Sequence, residues 1–579
     1  MYTHPLKEPL RIVLAALNLE EGPEAVPLGA ASVASALKAA FPGAVFSLVE
    51  GFVAGGVGAL VKKIKKEDPG IVGFSLYSWN RALMIGAAGS IGSENPGLFL
   101  FCGGPEAAAR PGGLHRAQGG PFDAVIPGEG EAAAIRLLRE HVFEKRSPPE
   151  GRAGPDIPGK PLSAELAGPG VAVADPAGSG VPAVEPESGG RGAPGPPLSE
   201  LPSPWLDGTL SVKGRQGVLW ELARGCPYAC AYCYESKGYD RSGPEKGVRY
   251  FSEERVREEL RLFVKERVPY VFALDPTFNI DNPRALRILD MISRETHKGP
   301  KLPENHRARG KSCRPAPAPD THWHFEVRAE LLTREQARRF AALGASLQIG
   351  LQTADPRVSA LAGRSLDRGL FASRIQMLNR EGVSFGLDLI YGLPGDTLAG
   401  YRKSLDFALS LYPNNLDMFR LSVLPGTRFA EQAEELRLTA DPEAPYEVRA
   451  AGDFSGADMD RAERLSGAAD LFYNRGRAVA WFNQILYPLG LKPAAFLDGF
   501  ADYLDEAGVP DWDKKGPPQA VLRDGSLVIE KLQLAYLGLR YKRGKKEALL
   551  PAVRDLVRYH GDWNRARAGE TGDGGRALP

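Results

Sequence analysis

Three of the five cysteines stand together in Arg224-Gly225-Cys226-Pro227-Tyr228-Ala229-Cys230-Ala231-Tyr232-Cys233. Their spacing is C-x3-C-x2-C, with an aromatic, Tyr232, directly before the last. Three thiolates this close suit three corners of one iron–sulfur cube. A closed zinc or cluster site takes a fourth ligand. Three leave one iron free to bind a substrate or cofactor. A zinc knuckle is the competing use, but the next Cys or His after Cys233 is His297, too far for a zinc-finger spacing. Disulfides fit less well, because five cysteines in 579 residues is sparse use, typical of a reducing compartment. Cys102 and Cys313 are not expected to be ligands. Cys102 ends an apolar stretch, where a free cysteine packs as a small hydrophobe. Cys313 sits in a basic, Pro-rich segment too flexible to preorganise a metal site.

The elements that must hold this loop belong to a chain too long for one ordinary core, so several domains are expected. Lys+Arg 72 against Asp+Glu 71 gives a net charge of +1, which argues against a nucleic-acid-coating protein. Gly 67 and Pro 48 are high usage and point to flexible segments. Residues 1–9 contain no signal-peptide core. No apolar run reaches the roughly 18 residues of a membrane span. The expectation is a soluble, cytoplasmic protein with no membrane contact.

At the cysteine loop the chain resembles the radical S-adenosylmethionine (SAM) superfamily, whose signature is C-x3-C-x-aromatic-C. The resemblance implies a [4Fe–4S] cluster on Cys226, Cys230 and Cys233, with SAM chelating the free iron. It implies reductive cleavage of SAM to a 5′-deoxyadenosyl radical, with Tyr232 against the adenine. It also implies an electron donor such as flavodoxin or ferredoxin.

From residue 217 strands and helices alternate. Strands are expected at 218–223, 270–274, 322–329, 346–351, 384–390 and 416–423. Helices are expected at 252–266, 282–294, 333–343, 367–381 and 398–410. That matches the count of the superfamily's partial (β/α)6 barrel, placed at 212–435 with a disordered insertion at 298–320. Functional side chains of such barrels sit at the carboxyl ends of strands. Asp275-Pro276-Thr277-Phe278-Asn279 stands where the family often has a Gly-Gly-Glu segment for SAM's amino group; Asp275 and Asn279 are candidates in its place. Glu326 and Arg328 share one face of their strand. They suit SAM's ribose hydroxyls and carboxylate, or equally a buried ion pair that orients the strand. Gln348, Gly350 and Gln352 lie on the next strand. Residues 386–395 resemble the superfamily's G-x-I-x-G-x-x-P strand, which lies along the adenine. Gly392 and Gly395 would allow that backbone contact, with Asp388 pointing into the barrel.

Residues 1–145 also alternate, with strands expected at 11–17, 44–49, 71–75, 98–102 and 124–126 and helices at 28–40 and 57–66. The pattern implies a flavodoxin-like, doubly wound parallel sheet, whose ligands bind at the carboxyl ends of strands. This region resembles the cobalamin-binding domain that precedes the barrel in one radical SAM subfamily. The resemblance rests on Pro27-Leu28-Gly29, the strand-end Ser75 and Ser78, the turn holding Gly103 and Gly104, and the turn holding Gly128 and Glu129. The D-x-H-x-x-G motif that supplies cobalt's lower ligand in many B12 proteins is absent, and His4, His115 and His141 stand in other contexts. Cobalamin is therefore expected to bind without a histidine. The alternative is a flavodoxin-like domain that binds nothing.

Residues 146–205 read as a Pro/Gly/Ala-rich linker that cannot build a core. Its end near 201–205 is expected to dock on the barrel. Residues 436–565 read as a mainly helical accessory domain, and 566–579 as a disordered tail. The aromatics Phe472, Tyr473, Trp481, Phe482, Tyr487, Phe496, Phe500 and Tyr503 read as core packing, or as a lid over the barrel mouth. The whole layout resembles B12-type radical SAM proteins with an extra C-terminal domain. The implied activity is cobalamin-dependent methyl transfer to an unactivated carbon of a small-molecule or peptide substrate. The alternative is a B12-independent radical SAM enzyme that abstracts hydrogen and then rearranges, cyclises or oxidises. A non-catalytic iron–sulfur or zinc scaffold would have no use for the 386–395 strand. A methylthiotransferase would need a second cysteine triad, and the first domain holds only Cys102.

Overall fold

The apolar run after Leu10 forms β1 (Arg11–Asn18), in which residues 12–17 are all buried. A parallel strand covered on both faces reads as such a continuous run. The structure, a computed structural model, describes residues 9–140, 172–173, 197–236, 247–297, 321–509, 512 and 525–567. Cys313, His4, His141, most of the linker, the insertion at 298–320 and the tail from 568 lie outside the described residues.

β2 (Val45–Phe52), β3 (Ile71–Ser75), β4 (Phe99–Gly103) and β5 (Ala124–Val125) join β1 in the parallel order β2-β1-β3-β4-β5. A short β6 (Ala172–Val173) adds antiparallel to β5. α1 (Leu28–Ala40) and α5 (Gly130–Leu138) cover one face through Ala34, Leu37, Ala134 and Leu137. α2 (Gly56–Lys66) and α3 (Arg81–Glu94) cover the other through Leu60, Ile64, Met84 and Ala88. Between β4 and α5 lies the short α4 (Pro105–Ala109). The sheet is doubly wound, and its order reverses between β1 and β3. Besides the short α4, two helices were not expected. α3 reads RALMIGAAGSIGSE, whose small residues blur the apolar period, and α5 starts inside the Gly128–Gly130 turn.

The second sheet runs β7 (Val218–Trp220), β10 (Tyr270–Ala273), β11 (His322–Val327), β12 (Ser346–Gln352), β13 (Ser384–Tyr391) and β14 (Asn415–Arg420), all parallel and in chain order. This is an open six-stranded barrel. The expected strand 218–223 breaks in two, because the chain leaves the sheet after Trp220. β8 (Ala223–Arg224) pairs antiparallel with β9 (Arg249–Tyr250) instead. The amides freed by the break, Leu222 N and Ala223 N, donate to Asp275 Oδ1 at 3.0 and 2.9 Å, so they are not left orphaned. The sixth strand stops at Arg420 rather than 423. Beyond it Val423 N donates to Tyr446 O and Val448 N to Leu421 O. The surrounding helices begin at side-chain caps: Ser252 for Glu253–Lys265, a Thr333–Gln336 capping box for Arg334–Leu343, Asp367 for Arg368–Glu381 and Thr397 for Leu398–Ser410.

The C-terminal region opens with an antiparallel hairpin, β15 (Leu438–Ala440) and β16 (Val448–Ala451), which the helical reading did not include. Helices Gly456–Ala469, Phe482–Leu486, Pro493–Glu506, Gly525–Arg543 and Leu550–Arg567 follow. Phe472 sits edge-to-face against Phe500 at 4.9 Å and Phe496 at 5.2 Å. These rings share one apolar core with the barrel's Leu389 and Tyr401. The aromatics are core, except Tyr487, which is 89% exposed. At the linker's end Trp205 is buried in the same core and donates to Leu219 O at 3.2 Å. Among the described residues no helix is long and apolar enough to cross a membrane.

Candidate functional site

The carboxyl ends of both sheets open onto one cavity of about 640 Å³. Cys226, Cys230 and Cys233 line it, with Tyr232 between them. The first sheet contributes Ser75, Gly103, Gly104, Gly128 and Glu129. The barrel contributes Asp275, Glu326, Arg328, Gln348 and Asp388.

Four residues singled out from the sequence do not line it: Ser78, Asn279, Gly392 and Gly395. Ser78 is displaced by Tyr77, which does line the cavity and stacks on Trp79 with ring centroids 4.4 Å apart. Asn279 is buried and holds both backbone groups of Arg328, donating to its O at 2.9 Å and accepting from its N at 3.0 Å. It positions β11 rather than facing a ligand. Gly392 has φ +84 and packs against a helix; a Cβ there would lie 2.8 Å from Met459 Cε.

The cysteine loop is fixed by backbone. Ala231 N donates to Ala362 O at 2.9 Å, and Phe429 N donates to Ala231 O at 3.0 Å. Gly363, at φ +72, lets the chain pass so close that a Cβ would sit 2.4 Å from Ala229 O. Cys226 Sγ lies 3.9 Å from Thr277 Oγ1. Burial pushes the Cys226 thiol up and the Cys233 thiol up to about 12, so a metal centre there must bring positive charge to hold thiolates. Among the described residues no three His, Cys, Asp or Glu side chains gather on a single-ion site, and no histidine lines the cavity. Three thiols on a cavity wall, without a fourth Cys or His, fit a cluster with one open iron. Cys102 lies elsewhere, buried in the first domain's core. His115 is also apart, its ring held by Ala117 N and Asp123 O.

Above the loop, Arg224 ties the two domains. It meets Glu131 at 2.7 Å, Glu221 at 2.8 Å and Glu129 at 3.4 Å, and Arg249 also pairs with Glu129. Burial alone would raise the Glu131 carboxyl, but Arg224 outweighs it and holds it below the usual range. A close approach shapes the first domain's wall. Gly104, at φ +103, would place a Cβ 2.6 Å from Leu76 O. Gly128, at φ +85, has open space where a side chain would stand. Such a bare wall suits a flat macrocycle.

Below the loop, Arg328 stacks on the Tyr228 ring at 3.6 Å and pairs with Glu330 at 2.5 Å. Arg364, unsignalled in the sequence, donates to Gly350 O at 2.5 Å. Burial pushes the Asp275 carboxyl up to about 7. Burial, aided by Asp388, does the same to Glu326, also to about 7. Gln352 has a left-handed backbone, φ +68, and its Oε1 is buried without a partner.

The family model for the radical SAM superfamily matches residues 220–408, and the model for the B12 binding domain matches residues 15–138. The chain thus carries a radical SAM domain behind a B12-binding domain. It is 26% identical over 377 residues to a 2-(S-pantetheinyl)-carbapenam-3-carboxylate methyltransferase of Streptantibioticus cattleyicolor, covering 62% of this chain and 47% of that one. It is 26% identical over 411 residues to the cobalamin-dependent radical SAM methyltransferase TokK of Streptomyces tokunonensis, covering 68% and 53%. The chain thus spans about half the length of the curated relatives it matches. Among solved structures, OxsB with aqua-cobalamin and SAM bound matches at TM-score 0.57 and 14% identity, over 98% of this chain and 82% of that one. TsrM from Kitasatospora setae, with cobalamin and a [4Fe–4S] cluster bound, matches at TM-score 0.53 and 16% identity, over 91% and 99%. These likenesses are of fold.

Proposed function

We propose that this radical SAM protein is a cobalamin-dependent enzyme of methyltransferase type, acting on an unactivated carbon. One observation carries the reading: the cysteine triad and the bare glycine turns of the B12-binding domain face each other across a single cavity. When bound there, the cluster and SAM would supply a 5′-deoxyadenosyl radical, using one electron from a flavodoxin- or ferredoxin-like donor, and cobalamin would supply the methyl group to be transferred.

The chain's own residues hold and orient. Cys226, Cys230 and Cys233 would ligate three irons. Tyr232 packs beside Cys230 and gives an adenine a flat neighbour. Arg328, fixed by Asn279 and stacked on Tyr228, would meet SAM's carboxylate. Asp275 fixes the backbone leading into the cysteine loop. Gly103, Gly104 and Gly128 would let the first domain's backbone approach the corrin, and among the described residues no histidine lines the cavity.

The test is anaerobic reconstitution of the full chain. Four irons per chain, 5′-deoxyadenosine from SAM and dithionite, and saturable hydroxocobalamin binding are expected. The cob(II)alamin EPR spectrum should lack nitrogen superhyperfine splitting. Cys230→Ala should abolish SAM cleavage; four irons and full activity in that variant would sink the cluster assignment. Cluster chemistry without cobalamin binding would favour a B12-independent enzyme.

A further inference from the structure

Below the cluster loop, the inner face of the barrel carries one layer of acids across adjacent strands. Glu326 on β11 is in register with Gln348 on β12, and Asp388 on β13 with Asp417 on β14. Gln348 Nε2 donates to Asp417 at 2.9 Å and also to Asp388. Two glycines make room for this arrangement. A Cβ on Gly386 would lie 2.4 Å from Gln348 Oε1, and one on Gly350 would lie 2.4 Å from Gln352 Nε2. The Gln352 amide is thereby folded over the layer from above.

The layer has acceptors in excess of donors. Glu326 lines the cavity and, among the described residues, has neither a hydrogen bond nor an ion pair; the charges that act on it most are the like charges of Asp388, Glu24 and Asp275. The buried Oε1 of Gln352 is a further acceptor with no donor. A left-handed non-glycine residue with an orphaned polar atom is a strained element kept for a reason. Nearby cations offset the floor only in part: burial holds the Asp388 carboxyl up, outweighing Arg364, which lowers it. Arg328 pairs with Glu330 one repeat above the floor, and Arg364 donates to Gly350 O and Tyr232. His324, one repeat below Glu326 on the same face, bonds Ser346 Oγ at 2.7 Å and is kept neutral by burial. A buried set of carboxylates and an unpaired carbonyl calls for a ligand that is both cationic and a hydrogen-bond donor.

We infer that the barrel floor binds a protonated amine of the substrate, held by Glu326, Asp388 and the Gln352 carbonyl. The inference rests on the reading that this cavity is the active site, and it narrows the substrate to an amine-bearing molecule. Arg328 stands one repeat above, at the level of the cluster loop, so SAM and the amine would occupy different layers.

The probes are hexylammonium, hexanol and hexanoate, titrated by calorimetry into the reconstituted full-length protein. Hexylammonium should bind at least about tenfold more tightly than hexanol, and hexanoate should not bind. The Glu326→Gln/Asp388→Asn double variant should lose that preference to within about twofold. If that variant does not fold, Asp388→Asn alone, which keeps an acceptor for Gln348, should lose about threefold. Equal binding of amine and alcohol to the unaltered protein would overturn the inference. So would loss of SAM affinity alongside loss of the amine preference, which would hand the floor to the cofactor. Saturable Mn²⁺ binding by EPR that displaces hexylammonium would make the layer a metal site and overturn it as well. Iron content and SAM cleavage, measured on the same preparation, report separately on the proposed enzyme class.

Discussion

Among the described residues Glu326 takes no hydrogen bond, and it faces Asp388 across the barrel floor, so the pH of the medium should be felt there. Its carboxyl is raised from 4.5 to about 7 by burial. A carboxyl raised on folding contributes stability that is complete below its unfolded value and is lost as pH rises through the folded one. The cofactor-free protein should therefore melt at lower temperature at pH 8 than at pH 5.5, and Glu326→Gln should flatten that slope and raise the midpoint at pH 8. An unchanged slope in the variant would contradict the assignment. At this scale the sequence was most legible where spacing is short. The cysteine triad could be read because three ligands within one loop need no tertiary knowledge. The period of two on β11 and β12 named Glu326, Arg328 and Gln348. Arg364 could not be found, since a loop residue has no period, and neither could the Arg224–Glu131 pair, whose members lie far apart in the chain. Asn279 looked like a ligand because only the folded chain reveals that its amide closes on Arg328.

The turn from β4 into α4 shows how an element makes room for a ligand. Gly104 adopts φ +103, and a Cβ would meet the backbone oxygen of Leu76 at 2.6 Å. Backbone cannot yield as a side-chain end can, so Gly104→Ala should destabilise the first domain by about 2 kcal/mol and weaken hydroxocobalamin binding at least about tenfold. Calorimetric melting and equilibrium dialysis measure the two effects; unchanged cobalamin affinity would remove the turn from the site. Most strands were legible as apolar runs bounded by turn residues, and the helices of the barrel by their caps. The exceptions have local causes. The strand expected at 218–223 breaks because Asp275 supplies the partners that a neighbouring strand would have given. The last barrel strand ends early because 421–423 pair with the hairpin arm instead.

Across the whole molecule, the first domain is already docked in this structure. From the sequence, only a linker at 146–205 joins the first domain to the barrel. Instead Arg215 meets Glu50 at 2.6 Å, Ser35 donates to Asp207 at 2.5 Å, Tyr270 donates to Glu24 at 3.0 Å, and Tyr234 donates to Pro105 O at 2.7 Å. The hairpin tip adds Tyr446 on Glu106 and Arg110 on Glu443 at 3.1 Å. Arg224–Glu131 is the most enclosed ion pair among these ties, and removing Arg224 strands Glu131, which is only 5% exposed. Arg224→Met should cost about 3 kcal/mol, and Arg224→Met/Glu131→Leu should recover much of it. Thermal melting decides, and a double variant no more stable than the single would show that the pair is not coupled. The cavity these ties enclose has one wall from each folding unit, so neither unit owns a complete pocket. Any ligand touching both walls is a fastener as well as a passenger. Two such ligands are thermodynamically linked: each tightens the other by the same factor. Cooperative loading is the expected outcome, read as tighter hydroxocobalamin binding with SAM present than without it, and scarcity of one cofactor would be felt as weak retention of the other.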